Sequence, residues 1–81
     1  MTLDAALRKA IRHAPCSVRA LARQAGVSHV MLAGIVAGRE RATTRVAKAV
    51  AKALDSWAAR CAKDAAAVRA AVEGRSARED A

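Results

Sequence analysis

Apolar residues recur every three or four positions along almost the whole chain, which is the spacing of one face of an α-helix. Leu3, Leu7, Ala10, Ile11 and Ala14 make the first stripe, with Arg8, Lys9 and Arg12 on the other side. Thr2 stands before it as an N-cap and Asp4 suits the positive end of a helix. Pro15 stops it, because a residue before proline avoids the α region. Ser17 caps a second stripe of Val18, Leu21, Ala22 and Ala25, closed by Gly26 in a left-handed turn. Val27 is expected to be buried in that turn. Ser28 caps a third helix over residues 28–37, with Leu32 and Ile35 inward and Gly38 as its end.

Residues 39–42 read as a loop. Thr43 caps a fourth helix with Val46, Ala47, Val50, Ala51 and Leu54 on one face. The pattern then continues through Trp57, Cys61, Ala65, Val68 and Val72. Two readings are open: a break near Asp55 and Ser56 with a fifth helix beyond it, or one helix over 43–72. Asp55 and Ser56 are good caps and tip the choice toward a break or kink. Gly74 is expected to close the element, leaving a polar, frayed tail.

Composition narrows the class. Aromatic residues make up 1% of the chain, in the single Trp57, so a β-sheet has little material. Ala, Leu, Arg and Lys dominate, and these are strong helix formers. The expectation is an all-α protein. At 81 residues it is one small domain with a thin core, the kind that gains stability by pairing with a second copy.

Charge divides the chain. The net charge is +8. Residues 1–54 carry ten Lys or Arg against two acids, whereas residues 55–81 carry five of each. All the excess positive charge therefore rides on the first part, which fits a polyanionic partner. The expected organisation is a binding domain over 1–54, a C-terminal helix over 55–73 that mediates dimerisation, and a tail over 74–81. Leu54, Trp57, Cys61 and Val68 are the candidate dimer contacts, with Trp57 as anchor. The other reading of this stripe is that it folds back to complete the core.

Candidate chemistry is sparse. Cys16 and Cys61 have no partners at metal-ligand spacing and read as reduced thiols. There is no nucleophile–base pair at usable spacing, no phosphate-cradling glycine loop and no metal cluster. The chain is expected not to be an enzyme and to need no cofactor, metal or small-molecule ligand. Residues 1–14 have scattered charge and no apolar run, and no stretch is long and apolar enough for a membrane span. A cytoplasmic location is expected.

The segment 17–38 is more specific. Leu21 and Ala22, then Gly26, Val27 and Ser28, then Leu32, Ile35 and Gly38 meet the needs of a DNA-binding helix-turn-helix. Ala22 is small enough for the helices to approach closely. Gly26 accepts a positive φ. Leu32 and Ile35 anchor the third helix and leave its other side free. Arg39, Arg41 and Arg45 cluster just after it, where phosphate contact is the expectation.

The text SVRALARQAGVSHVMLAGIVAGRERATTRVAKAVAKAL, residues 17–54, resembles the Cro and lambda-repressor-like family, also called the XRE family. Residues 3–14 resemble its first helix more loosely. The resemblance implies a four- to five-helix DNA-binding domain, here with a C-terminal helical extension, that binds operator DNA as a dimer. It implies base contacts at Ser28, His29, Val30 and Gly34, the last one turn along on the same face. It places Arg39 and Arg41 in the phosphate-contacting loop, and Ser17 and Arg19 at a helix start that meets a phosphate. The third helix departs from the family in being apolar where Gln, Asn, Arg or Glu is frequent. His29 can still donate to guanine N7 or O6, and Val30, Met31 or Ala33 can touch thymine methyls. The expected function is sequence-specific regulation, as a repressor on palindromic double-stranded DNA. The competing readings are a protein-interaction module using the apolar face of helix 28–37, and a non-specific architectural DNA binder.

Overall fold

A computed structural model describes the backbone of residues 2–80 and the side chains of residues 2–75. Four helices follow one another: α1 (Leu3–His13), α2 (Val18–Ala25), α3 (His29–Ala37) and α4 (Thr44–Asp80). No strand occurs among the described residues. The class is all-α, as the composition requires, with four helices and a long C-terminal extension.

Each helix begins where a side-chain oxygen satisfies a free backbone N–H. The Ala5 N–H donates to Thr2 Oγ1 at 3.1 Å, Ala20 to Ser17 Oγ at 3.0 Å, Met31 to Ser28 Oγ at 3.3 Å and Val46 to Thr43 Oγ1 at 3.2 Å. The first helix ends at Ala14, whose ψ of 136° is the extended geometry that Pro15 imposes. The second and third helices end in the same motif. Gly26 and Gly38 take φ of 72° and 84°. The Val27 N–H then reaches Ala22 O at 3.0 Å and Arg39 reaches Gly34 O at 2.8 Å. These bonds from two residues past the helix satisfy carbonyls that otherwise lack partners.

The core is built from one stripe per helix. Leu7 and Ile11 of α1, Leu21 and Ala22 of α2, and Leu32 and Ile35 of α3 are buried. They close on Val46, Val50 and Ala53 of α4. Leu32 and Ile35 are fully enclosed at 0% exposure, so α3 is locked at its centre. Val27 is half-buried rather than buried, packed against the core from the α2–α3 turn. Two polar contacts outside the stripes lock the ends of the chain path. The Asp4 carboxylate accepts from the Ala42 N–H at 2.6 Å, tying α1 to the loop before α4. Arg8 Nε donates to Ile35 O at 3.4 Å, reaching a carbonyl in the last turn of α3.

The sequence-based expectation of a break at Asp55 and Ser56 is not met. Helix α4 runs for 37 residues without interruption. Asp and Ser cap a helix only when the chain leaves helical φ and ψ there, and residues 44–73 contain neither Gly nor Pro to make it leave. The Ala, Lys, Leu and Arg around them propagate the helix instead. Gly74 does not close it either. A single glycine costs about 1 kcal/mol in a helix, too little to end one within a long run of good formers. The tail expected over 74–81 is therefore helical as far as Asp80, and Ala81 lies outside the described residues.

The face of α4 is also rotated from the expected one. Ala53 is buried and Ala51 exposed. Val46, Val50, Ala53 and the half-buried Trp57 form the face toward the other helices, at spacings of four, three and four. Beyond it, residues 58–75 are exposed at every position. The molecule is consequently elongated, with extents of 60 × 24 × 18 Å. Among the described residues no helix is long and apolar enough to cross a membrane.

Candidate nucleic-acid interface

The site starts from the α2–turn–α3 unit. Packing of Leu21 and Ala22 against Leu32 and Ile35 fixes the two helices, and the Gly26 turn sets the angle between them. The opposite side of α3 is only partly covered. Ser28, His29 and Val30 are exposed at its N-terminal end, Val30 at 67%. The Ser28 hydroxyl caps the helix by accepting from Met31, so its proton stays available to donate outward. Ala33, Met31 and Val36 are half-buried. α3 carries no charged residue apart from the titratable His29.

The arginines surround this helix along the chain. Arg19 in the first turn of α2 is exposed, as are Arg39 and Arg41 in the loop after α3 and Arg45 in the first turn of α4. Ser17 is exposed at the start of α2, where its hydroxyl already accepts from Ala20. The unpaired N–H groups of that first turn remain a place for an anion. Arg23, Lys48 and Lys52 add further exposed cations, and Arg8, read from the sequence as part of a basic face, is instead half-buried and engaged with α3.

Gly34 does not sit where the resemblance implies. It is buried, and a base cannot reach it. After Gly38 the chain doubles back, and both the Arg39 and Glu40 N–H groups donate to Gly34 O, at 2.8 and 3.1 Å. The Glu40 stem is thereby laid over Gly34. A Cβ at position 34 would lie 2.6 Å from Glu40 Cγ and 3.3 Å from its Cβ. Glycine at 34 thus serves the approach of the loop that presents Arg39 and Arg41, not the approach of DNA. No spacing rule in the sequence marks this role, since it depends on where the loop goes after the helix ends.

Asp4 is a second residue whose part was not legible. Its helix-start position was visible in the sequence, but its bond to Ala42, 38 positions away, was not. It anchors the far end of the arginine-bearing loop, as Gly34 and Gly38 anchor the near end.

The candidate dimer residues fall on the extension. Leu54 is half-buried at its root. Cys61 and Val68 are exposed, Val68 at 62%. Trp57 is half-buried with the Arg60 guanidinium 5.8 Å from its ring centroid. Arg60 also donates to Gln24 Oε1 on α2 at 2.8 Å, so the root of the extension is braced against the helix-turn-helix. Cys16 is half-buried beside the core, and both cysteines are free thiols.

Comparison of the chain with family models, with curated proteins and with solved structures finds no match.

Proposed function

We propose that this protein is a sequence-specific DNA-binding regulator of the Cro and lambda-repressor-like type, acting in the cytoplasm as a repressor on a palindromic site. The observation that carries the reading is the bare N-terminal end of α3. Ser28, His29 and Val30 project there from a helix locked to the core, between exposed arginines on both sides in the chain. A helix inserted end-first into the major groove needs this combination of a rigid anchor, free leading residues and cations at its flanks.

In this reading Arg19, Arg39, Arg41 and Arg45 neutralise phosphates and Ser17 lies at a phosphate-facing helix start. These contacts set affinity and register. Ser28 and His29 donate to base edges, and Val30 meets a thymine methyl. A helix so poor in polar side chains has no Arg–guanine or Asn–adenine bidentate pair. Sequence preference then leans on groove shape and on the loop arginines.

Selection of bound fragments from a random double-stranded pool tests the reading. The expected result is a palindrome whose half-sites are centred about 34 Å apart. Salt-dependent binding without a consensus would instead mark a non-specific architectural binder. Absence of DNA binding would leave the apolar α3 surface as a protein-docking face.

A further inference from the structure

Among the described residues of the α4 extension, every position from 58 to 75 is exposed, and the sequence pattern there specifies a partner. Leu54, Ala58, Cys61, Ala65, Val68 and Val72 follow one another at alternating spacings of four and three. That is the spacing of a coiled-coil seam, narrow and apolar. The same seam runs backward through Ala51 and Ala47 to Thr44. These residues line one wall of an apolar groove of about 450 Å³, whose other wall is Leu3, Ala6, Leu7 and Ala10 of α1. Groove and seam are therefore one continuous apolar surface along α4. A helix with every position from 58 to 75 exposed rests on propensity alone, which holds a segment of that length only marginally in water.

We infer that a second copy of this chain covers this surface, with the two α4 extensions packed as a parallel, in-register coiled coil. Charge complementarity favours a second copy, in the parallel direction. With Cys61 and Val68 in the d positions of the heptad, Asp64 falls at g and Arg69 at the following e. A parallel pair sets Asp64 of each copy beside Arg69 of the other, twice by symmetry. The antiparallel pairing that overlaps the whole 54–72 row also makes two Asp55–Arg69 contacts, but it brings the two Asp64 side chains together near the twofold axis, a repulsion that the parallel pair lacks. Ala58 and Ala65 at the a positions permit close approach of the helices. Residues 55–75 carry four basic and three acidic side chains, so two copies meet there without the repulsion of the strongly positive first part. Both helix-turn-helix units then lie at the same end of the dimer. This extends the DNA-binding reading, but its test contains no DNA, so either can fail alone.

Sedimentation of the full chain at low and high salt provides the test, with two charge-swap variants. Asp64→Arg and Arg69→Asp each set like charges against each other in the homodimer. Each should raise the dimer dissociation constant roughly fivefold or more at low salt. An equimolar mixture of the two variants should restore dimerisation, because each heterodimer contact is again between opposite charges. Both residues are exposed, so the fold is insulated from the swaps. Direction is read from Cys61 in a Cys16→Ala background under oxidised glutathione. Two Cys61 thiols give one disulfide as the glutathione disulfide takes up two electrons and two protons. A parallel seam should yield the covalent dimer quickly, and far faster than a thiol moved to the outer face by Lys63→Cys with Cys61→Ala. A monomer at all concentrations, a higher oligomer, a dimer indifferent to both swaps, or a dimer in which Cys61 links no faster than the outer thiol would each overturn the inference.

Discussion

Replacing Asp4 by alanine should destabilise the domain by about 2 kcal/mol. The Asp4 carboxylate oxygen accepts from the Ala42 N–H at 2.6 Å in a half-buried setting. A hydrogen bond to a charged acceptor contributes roughly 1.5–3 kcal/mol net. Partial exposure lets water replace some of it, which favours the lower figure. The same carboxylate lies in the first turn of α1, where an acid adds roughly 0.3–1 kcal/mol through the helix dipole. For a chain of this size the sum lowers the melting temperature by roughly 8–16 °C. The assay is thermal unfolding followed by circular dichroism at one fixed protein concentration, since self-association shifts apparent stability. Asp4→Asn keeps an oxygen acceptor and loses the charge, so it should lose only about half as much. A loss below about 0.5 kcal/mol for Asp4→Ala, or equal losses for the Ala and Asn variants, would refute the reasoning, because the Ala42 bond would then not be what holds the loop.

Other perturbations separate the remaining parts of the argument. Arg39→Ala with Arg41→Ala should weaken DNA binding on every sequence and flatten the slope of log affinity against log salt by about 2, measured by titration at several salt concentrations. His29→Ala should relax the preference at one base position in a selection experiment while leaving the melting temperature close to that of the parent. Gly34→Ala should fall short of the roughly 1 kcal/mol that alanine normally gains in a helix, because the new methyl meets the Glu40 stem. A double-mutant cycle with Glu40→Ala should show coupling of at least about 0.5 kcal/mol, and additivity would mean that Glu40 does not rest on Gly34. Leu32→Ala empties a fully enclosed site and should cost roughly 2.7–5 kcal/mol in denaturant unfolding, enough to leave a large unfolded fraction.

Local rules made much of this protein legible in its sequence. The four N-caps, the two left-handed glycines and the stop at Pro15 each involve residues within a few positions of one another, so short-range physics decides them. The inward residues of α1 to α3 follow from helical periodicity for the same reason. The all-α class follows from a composition with almost no aromatic residues. Exposure of Ser28 and His29 follows from their place at the start of α3, that of Val30 from its position opposite Leu32 and Ile35, and that of the loop arginines from their charge. Tertiary structure decided what depends on distant parts of the chain. Continuity of α4 through Asp55 and Ser56 is a competition between capping and propagation, and the cap loses where nothing breaks the helix on either side. The burial of Gly34 is set by the path of residues 38–40 back over α3, a direction no periodicity encodes. Asp4 and Arg8 carry the same sequence signature as any surface charge near a helix start. Only the assembled fold brings Ala42 and the Ile35 carbonyl within their reach.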